Sequence, residues 1–108
     1  MIVRTWRGQA KAANADAYQR FVTTKVFAHL PAIPGHRGAS LLRRPVETAA
    51  GDEVEFVAVT LWDSLDAIKA FAGADPIRAV IEPEAQALLS AFDQTVTHYE
   101  LAHESRVR

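Results

Sequence analysis

Large aromatic side chains and a few histidines carry most of the chemistry that this sequence offers. Histidine titrates near neutral pH and is the side chain that most often serves as a general base. His98 lies in the run QTVTHYEL, which is typical of a strand, and we predict it as the catalytic residue. A histidine that is hydrogen-bonded for structural reasons is the alternative interpretation.

A cluster of amphipathic aromatic side chains predicts a binding cavity. Tryptophan and tyrosine combine an apolar ring with a hydrogen-bonding tip, so a cavity that they line suits a flat aromatic ligand. The alternative is that these rings only fill the core. The aromatic residues predicted to line the cavity are Trp6, Tyr18, Trp62, Phe71 and Tyr99.

Several other kinds of site are not expected. The four histidines lie on different predicted elements without metal-ligand spacing, and the chain has no cysteine, so we expect no metal site. The sequence contains neither the G-x-S-x-G motif of hydrolases nor a glycine-rich phosphate loop. A formal net charge of -1 without a basic stripe argues against nucleic acid as a partner.

The length of 108 residues fits one compact domain. We predict a domain over residues 1–102, followed by a charged tail over residues 103–108. No apolar run approaches the length of a membrane-spanning helix, and the N-terminal segment lacks the apolar core of a signal peptide. We therefore expect no membrane partner and a cytoplasmic location.

Hydrophobic patterning predicts four strands. Extended runs of β-branched and aromatic residues indicate them, with a turn at Gly51-Asp52 between the second and the third. Pro45 is expected to end the second strand. The predicted strands are residues 2–7, 36–44, 53–62 and 94–101.

Capping residues predict the first two helices between these strands. Asn14 is the expected N-cap of a first helix, which cannot continue past Pro31. Ser64 or Asp63 is expected to begin the second helix, and Gly73 to end it in the position after its last turn.

The run FAGADPIRAVIEPEA, residues 71–85, combines apolar residues at helical spacing with a glycine and two prolines. Proline is well tolerated at the first position of a helix, where its missing N–H has no helical partner in any case. We therefore predict that Pro76 and Pro83 each open a further short helix in this run.

The predicted order of elements is strand, helix, strand, strand, helices, strand. This order matches the ferredoxin-like split βαβ fold of the α+β class, in which helices cover one face of a four-stranded antiparallel sheet. The third strand, however, is apolar on both faces, with Val57, Val59 and Leu61 on one and Phe56, Ala58 and Trp62 on the other. Since one chain has no further element to cover the second face, we predict a homodimer that packs sheet face to sheet face.

The run EFVAVTLWDSLDAIKAFAG, followed by AVIEPEAQALL and the terminal VTHYEL, resembles the antibiotic biosynthesis monooxygenase family. The resemblance extends from the first strand to about residue 101, and it implies a dimeric α+β barrel of ferredoxin-like protomers. Some members of that family oxidise phenolic or quinol-like compounds with dioxygen and without a metal or flavin, whereas others degrade heme.

The resemblance to the heme-degrading members is incomplete at the positions that bind heme in them. Matched from Trp62, Phe71 stands where those members have a tryptophan, and Ile81 stands where they have a histidine ligand. The first strand, IVRTWR, also lacks their asparagine. Without an axial ligand we expect no heme, and the resemblance to the cofactor-free members implies no other cofactor. Ile81 is then expected in the wall of the cavity.

The resemblance to the cofactor-free members implies a cavity that excludes water, a group that helps to deprotonate a phenol, and donors for the resulting oxyanion. Arg4, Trp6 and His98 are the residues predicted to supply these functions. We therefore predict a cofactor-independent monooxygenase that oxidises a small aromatic or quinol-type compound. A non-catalytic dimeric barrel that binds a small apolar metabolite is the alternative, and a purely structural dimerisation domain is a third possibility.

Overall fold

A computed structural model describes residues 1–107 of the chain. It contains one antiparallel sheet of five strands: β1 Ile2–Lys11, β2 His36–Thr48, β3 Gly51–Trp62, β4 Ala91–Phe92 and β5 Thr97–Glu100. The strand order is β2-β3-β1, and both β4 and β5 pair with the free edge of β1. This is the ferredoxin-like order, so the predicted α+β fold class is confirmed.

The strand predicted at residues 94–101 is shorter, as β5, and the unpredicted strand β4 precedes it. Phe92 pairs with Gly8 on β1, whereas Thr97 pairs with Thr5, and the chain between them leaves the ladder. There Val96 donates its N–H to the carbonyl of Ile77 instead, at 2.8 Å. The sheet therefore has five strands instead of the predicted four, because β4 pairs with β1 before the predicted start and residues 94–96 bond to residues 77–79 instead of to β1.

The first helical segment begins earlier than predicted. α1 Ala12–Phe21 starts directly after β1, with Lys11 as its N-cap residue, so Asn14 lies inside the helix. The reason is that β1 stays paired with β3 as far as Lys11, which leaves no connecting loop. A π-helical segment, Val22–Val26, and a 3₁₀ segment, Phe27–Ala32, complete this region, and the chain leaves the helix just after Pro31, as predicted.

The second helix, α2 Leu65–Ala72, has the predicted ends. The Ser64 hydroxyl accepts a hydrogen bond from the backbone N–H of Ala67 at 3.2 Å. Gly73 follows the last turn with φ at 85°, in the left-handed region that glycine adopts without strain.

The run after Gly73 forms one helix, not two. α3 Pro83–Leu88 begins at Pro83 as predicted, but residues 76–82 form a turn and an extended segment. The prediction of a helix at Pro76 is wrong. The backbone of this segment forms hydrogen bonds with the residues before β5 instead of within a helix, and Ala79 N–H, for example, donates to the Gln94 carbonyl at 3.0 Å. Arg78 and Thr95 form an isolated antiparallel bridge there.

The second strand continues through Pro45, which was expected to end it. β2 lies at the edge of the sheet and pairs only with β3, where Pro45 is opposite Val54. An edge strand tolerates proline because the missing N–H can face away from its single partner.

Helices and sheet enclose two apolar clusters on one face of the sheet. Phe56 and Tyr18 are central to the first, with their ring centroids 4.8 Å apart. Trp62, Ile68 and Leu30 form the second, and all three are almost completely buried. The opposite sheet face carries no helix in the described chain, and none of the helices in residues 1–107 is long and apolar enough to cross a membrane. The division into a domain at 1–102 and a tail at 103–108 stays a prediction, and Arg108 lies outside the described residues.

Candidate functional site

A cavity of about 310 Å³ lies between the sheet and the helical layer. This volume is at the small end of the range for small-molecule sites. The strand period of two brings Arg4 and Trp6 to the same face of β1, and the neighbouring β3 adds Ala58 and Thr60. α1 and the segments that follow it supply Tyr18, Phe21 and Leu30, so most of the wall is apolar or aromatic.

Arg4 is the buried cation of this cavity, and only 5% of the residue is exposed. Its guanidinium donates hydrogen bonds to the backbone carbonyls of Pro76 and Arg78, the latter at 3.1 Å. Its Cζ also lies 5.8 Å from the centre of the Phe71 ring. These contacts hold the guanidinium against the loop that was predicted to be a helix.

No aspartate or glutamate of residues 1–107 forms an ion pair with Arg4. Burial lowers the pKa of Arg4 from its ordinary value, but arginine keeps its proton in proteins. The cavity therefore contains a positive charge that the described part of the chain does not neutralise.

His98 lies behind Arg4 and does not line the cavity. The two residues are opposite each other on β5 and β1, with Nη1 of Arg4 at 3.1 Å from Nε2 of His98. Arginine can only donate, so this contact requires Nε2 of His98 to be an unprotonated acceptor. Burial and then the charge of Arg4 lower the pKa of His98, which is consistent with the neutral form.

Trp6 is held in place at both ends of its indole. Its Nε1 donates to the backbone carbonyl of Asp93 at 2.7 Å. A Cβ atom on Gly8 would lie 2.5 Å from Cη2 of the same ring, so the absence of a side chain at Gly8 gives the indole its space. Trp6 is thereby fixed as part of the cavity wall.

Tyr18 presents a hydroxyl that forms no hydrogen bond with residues 1–107. The residue is 3% exposed, and its burial raises the pKa of the phenol well above the ordinary value. It is therefore a neutral hydroxyl, available as a donor or an acceptor to a molecule in the cavity.

The remaining predicted residues divide into two groups. Phe71 and Ile81 line the cavity, as Arg4, Trp6 and Tyr18 do. Trp62 is completely buried in the second apolar cluster, where it stacks on Phe71, and Tyr99 is opposite Val3 on the uncovered face of the sheet. The structure therefore places Trp62 and Tyr99 outside the cavity.

Lys25, His29 and Glu82 also line the cavity and were not predicted to do so. All three residues are exposed to solvent, so they lie at its mouth. Lys25 and His29 are four residues apart and continue the helical spacing of Tyr18 and Phe21. This spacing could have predicted that these two residues lie on the cavity side of the helix. No group of three or more metal-ligating side chains occurs within residues 1–107.

Two solved structures share this arrangement of strands and helices over the whole chain. One is a candidate antibiotic biosynthesis monooxygenase from Bacillus cereus, with a TM-score of 0.69 and 19% sequence identity over 100% of this chain and 97% of its own. The other is a candidate antibiotic biosynthesis monooxygenase from Deinococcus radiodurans, with a TM-score of 0.54 and 16% identity over 100% of this chain and 99% of its own.

The sequence has no match among protein-family models or curated proteins. At the identities of the two solved structures the likeness concerns the fold alone. This chain therefore has the ferredoxin-like α+β fold of two candidate antibiotic biosynthesis monooxygenases, which is the fold that the sequence resemblance implied for one protomer.

Proposed function

We propose that this protein is a cytoplasmic monooxygenase of the antibiotic-biosynthesis type that oxidises a small aromatic or quinol-type compound with dioxygen and without an added cofactor. The observation that carries the proposal is the buried, unneutralised guanidinium of Arg4 in an aromatic cavity. The names of the two structures that share the fold suggest the same reaction class by analogy of fold.

The proposed reaction needs no external reductant. In an anthrone a ring CH₂ group becomes a carbonyl, and in a hydroquinone one ring C–H becomes C–OH while the ring is oxidised to the quinone. In both cases one oxygen atom of dioxygen enters the product, and the second leaves as water with two hydrogens of the substrate. All four electrons come from the substrate. The step that needs help is formation of the electron-rich substrate anion, because that anion is the species that transfers an electron to dioxygen.

Arg4 and Tyr18 are the groups that we propose to hold the anion. A fixed positive charge among apolar walls stabilises an oxyanion more than it does in bulk water. His98 was predicted to be the catalytic residue, and we now propose that it acts through Arg4, because its Nε2 already accepts from the guanidinium. His98 is then a positioning residue.

Oxygen uptake tests the proposal. After dialysis against a metal chelator, the protein is expected to accelerate oxygen uptake with an anthrone and a hydroquinone above their spontaneous rates. Arg4→Met is expected to abolish most of the acceleration, whereas Arg37→Gln changes an exposed arginine outside the cavity and serves as the matched control. Uptake equal to the spontaneous rate across the panel would contradict the proposed activity.

The binding of a small metabolite without catalysis is the second candidate function. The position of His98 behind Arg4 favours it, because the histidine predicted to be the base does not line the cavity. Saturable binding of aromatic ligands together with no acceleration of oxygen uptake would support this candidate.

The uncovered face of the sheet supports a homodimer as part of the proposal. Side chains on that face form an apolar area across β2, β3, β1 and β5. Its members are Val3, Leu42, Val57, Val59, Leu61 and Tyr99. Leu42 and Tyr99 are more than half exposed in the single chain. A second copy of the chain can cover them with the same face, so that no other protein is needed.

A further inference from the structure

We propose, on the basis that the cavity is the substrate site proposed above, that its ligand is a small aromatic carboxylic acid. Its carboxylate binds the free edge of the Arg4 guanidinium, and its ring lies among the aromatic side chains of the cavity. The carboxylate distinguishes this class from the simple phenolic compounds that the sequence resemblance implies.

The hydrogen bonds of Arg4 leave part of its guanidinium unused. A guanidinium has five N–H groups. Nη1 contacts the Pro76 carbonyl and His98, and Nη2 contacts the Arg78 carbonyl, so three of the five are engaged. The N–H of Nε and one N–H of Nη2 have no partner in the described chain.

The unpaired Nε of Arg4 retains some solvent-accessible surface. Within residues 1–107, Nδ1 of His36 is the only side-chain nitrogen or oxygen that is both inaccessible to solvent and without a hydrogen bond. Since Nε of Arg4 has no hydrogen bond either, this atom must be accessible to solvent, although the residue as a whole is buried and lines the cavity. A ligand in the cavity can reach it.

Other arginines of this chain bind carboxylates through the same pair of nitrogens. Arg37 donates from Nε and Nη2 to the two oxygens of Asp63 at 2.6 and 2.7 Å. Arg44 donates from Nε and Nη2 to the two oxygens of Glu55 at 3.0 and 3.3 Å. Arg4 differs from both in that no carboxylate of residues 1–107 binds this pair of nitrogens.

The charge of the cavity favours an anion. Every group that contacts the Arg4 guanidinium is neutral, and an isolated buried charge is strongly unfavourable. Lys25 and His29 add basic groups at the mouth, where Glu82 is the only carboxylate that residues 1–107 contribute. A ligand carboxylate supplies the missing negative charge, and the unpaired hydroxyl of Tyr18 is a further donor for a polar substituent.

The number of free N–H groups favours a carboxylate over a phenolate. Two N–H groups on one planar edge match two carboxylate oxygens, whereas a phenolate presents one oxygen. A cavity of about 310 Å³ suits an acid with one or two fused rings.

Calorimetric titration of the unmodified protein with 2-naphthoate and 2-naphthamide tests this inference, because the two ligands differ in charge and hardly in shape. A charge-assisted pair is expected to make the acid bind about tenfold to hundredfold more tightly than the amide. 2-Naphthol is the third ligand, as the phenol of the same size. Binding of the amide or of 2-naphthol as tight as that of the acid would overturn the inference.

NMR spectroscopy of the Arg4 side chain tests the contact with the carboxylate directly. The ¹⁵Nε–¹H resonance of Arg4 is expected to shift on addition of 2-naphthoate and to stay in place on addition of 2-naphthamide. Arg4→Met is expected to bring the ratio of the two affinities close to one, whereas Arg37→Gln retains the ratio. An unchanged Arg4 resonance at saturation with 2-naphthoate would place the carboxylate elsewhere, and this result does not depend on the folding of any variant.

The outcome is separable from that of the proposed oxidation. Selective binding of the acid without oxygen uptake leaves this inference standing and removes the oxidation. Oxygen uptake with a neutral quinol, together with equal affinities for 2-naphthoate and 2-naphthamide, would contradict this inference and support the proposed oxidation.

Discussion

Arg4 and His98 lie directly opposite each other on β1 and β5, and Nη1 of Arg4 is 3.1 Å from Nε2 of His98. The contact joins the buried cation of the cavity to a histidine on a strand that is only four residues long. It makes the protonation state of His98 a determinant of where Arg4 is held.

The first prediction concerns the titration of His98. Because burial and the charge of Arg4 lower its pKa, an NMR titration of its ring proton is expected to give a midpoint below 6.5. Removing the charge with Arg4→Met is expected to raise that midpoint. A midpoint at or above 6.5 in the unmodified protein would show that His98 does not accept from Arg4.

The same shift has a consequence for stability. A histidine whose pKa is lower in the folded than in the unfolded chain binds more protons when unfolded, so protonation favours unfolding. Its full contribution is present above the unfolded pKa of 6.5, and it declines as the pH falls through the window down to the folded pKa. His98→Gln keeps a hydrogen-bond acceptor and is expected to make Tm less dependent on pH in that window.

The second prediction concerns the space beside Trp6. Gly8→Ala places a methyl group where Cη2 of Trp6 now lies, 2.5 Å from the new atom. The indole must move, and the bond from its Nε1 to Asp93 is strained or lost. We expect a loss of about 1–3 kcal/mol in the free energy of unfolding, measured by urea denaturation, together with weaker binding in the cavity.

Gly38→Ala is the control for this substitution. A Cβ atom at Gly38 meets nothing within 4 Å, so this variant is expected to retain stability and binding. Equal stability of the Gly8 and Gly38 variants would mean that Trp6 has another position available to it.

The third prediction tests the proposed homodimer. Light scattering of the unmodified protein is expected to give twice the 11.9 kDa of one chain. Leu42 is 55% exposed on the uncovered sheet face, so Leu42→Lys should leave the single chain intact and introduce an unpaired charge into the interface. The expected result is a single-chain mass at micromolar concentration.

Leu65→Lys is the matched control for the interface. Leu65 is 44% exposed at the start of α2, away from the uncovered sheet face, so its replacement is expected to leave the dimer mass unchanged. A mass of one chain for the unmodified protein would contradict the dimer, and dissociation by both variants equally would place the interface elsewhere.

The fourth prediction concerns Glu55, which joins three strands on the uncovered face. Its carboxylate contacts Arg44 at 3.0 Å and Arg7 at 2.9 Å, and its side chain is 11% exposed. The hydrogen bond from Arg44 is the largest cause that lowers the pKa of Glu55, with the charges of Arg44 and Arg7 adding to it and burial opposing it.

A carboxylate with a lowered folded pKa stabilises the protein above its unfolded pKa and loses that effect as the pH falls through the folded pKa. Glu55→Gln is therefore expected to lower Tm at neutral pH and to converge with the unmodified protein in acid, below the ordinary value of 4.5. Glu47→Gln is the control, because Glu47 is exposed and forms no ion pair with the described part of the chain. A constant difference in Tm between the Glu55 variant and the unmodified protein at all pH values would show that the effect is not ionic.

The sequence predicted the fold class, three of the strands, and the ends of α2, because local signals determine these features. A run of β-branched and aromatic residues identified β3, and Ser64 and Gly73 marked a helix whose capping groups lie within a few residues of it. The aromatic cavity was also predicted in part, since Trp6, Tyr18 and Phe71 are residue types that belong in such a wall.

The position of Phe27 depends on a change of helical period after α1. It lies off the 3.6-residue stripe of the first helix, yet it packs against both apolar clusters. The π-helical and 3₁₀ segments change the helical period at Val22 and again at Phe27, and this change rotates the later side chains relative to the stripe. The hydroxyls of Thr23 and Thr24 bond to carbonyls one turn earlier there.

The sequence by itself determined that a sheet with helices on one face would enclose aromatic side chains, because strand and helix periods are properties of neighbouring residues. Only the tertiary structure decided that Arg4 and His98 meet, that residues 76–82 are a loop, and that Trp62 and Tyr99 lie outside the cavity. Each of these depends on the register between strands or on backbone partners far apart in sequence. The carbonyls of Pro76 and Arg78 accept from a guanidinium on β1 that only the folded chain brings to them.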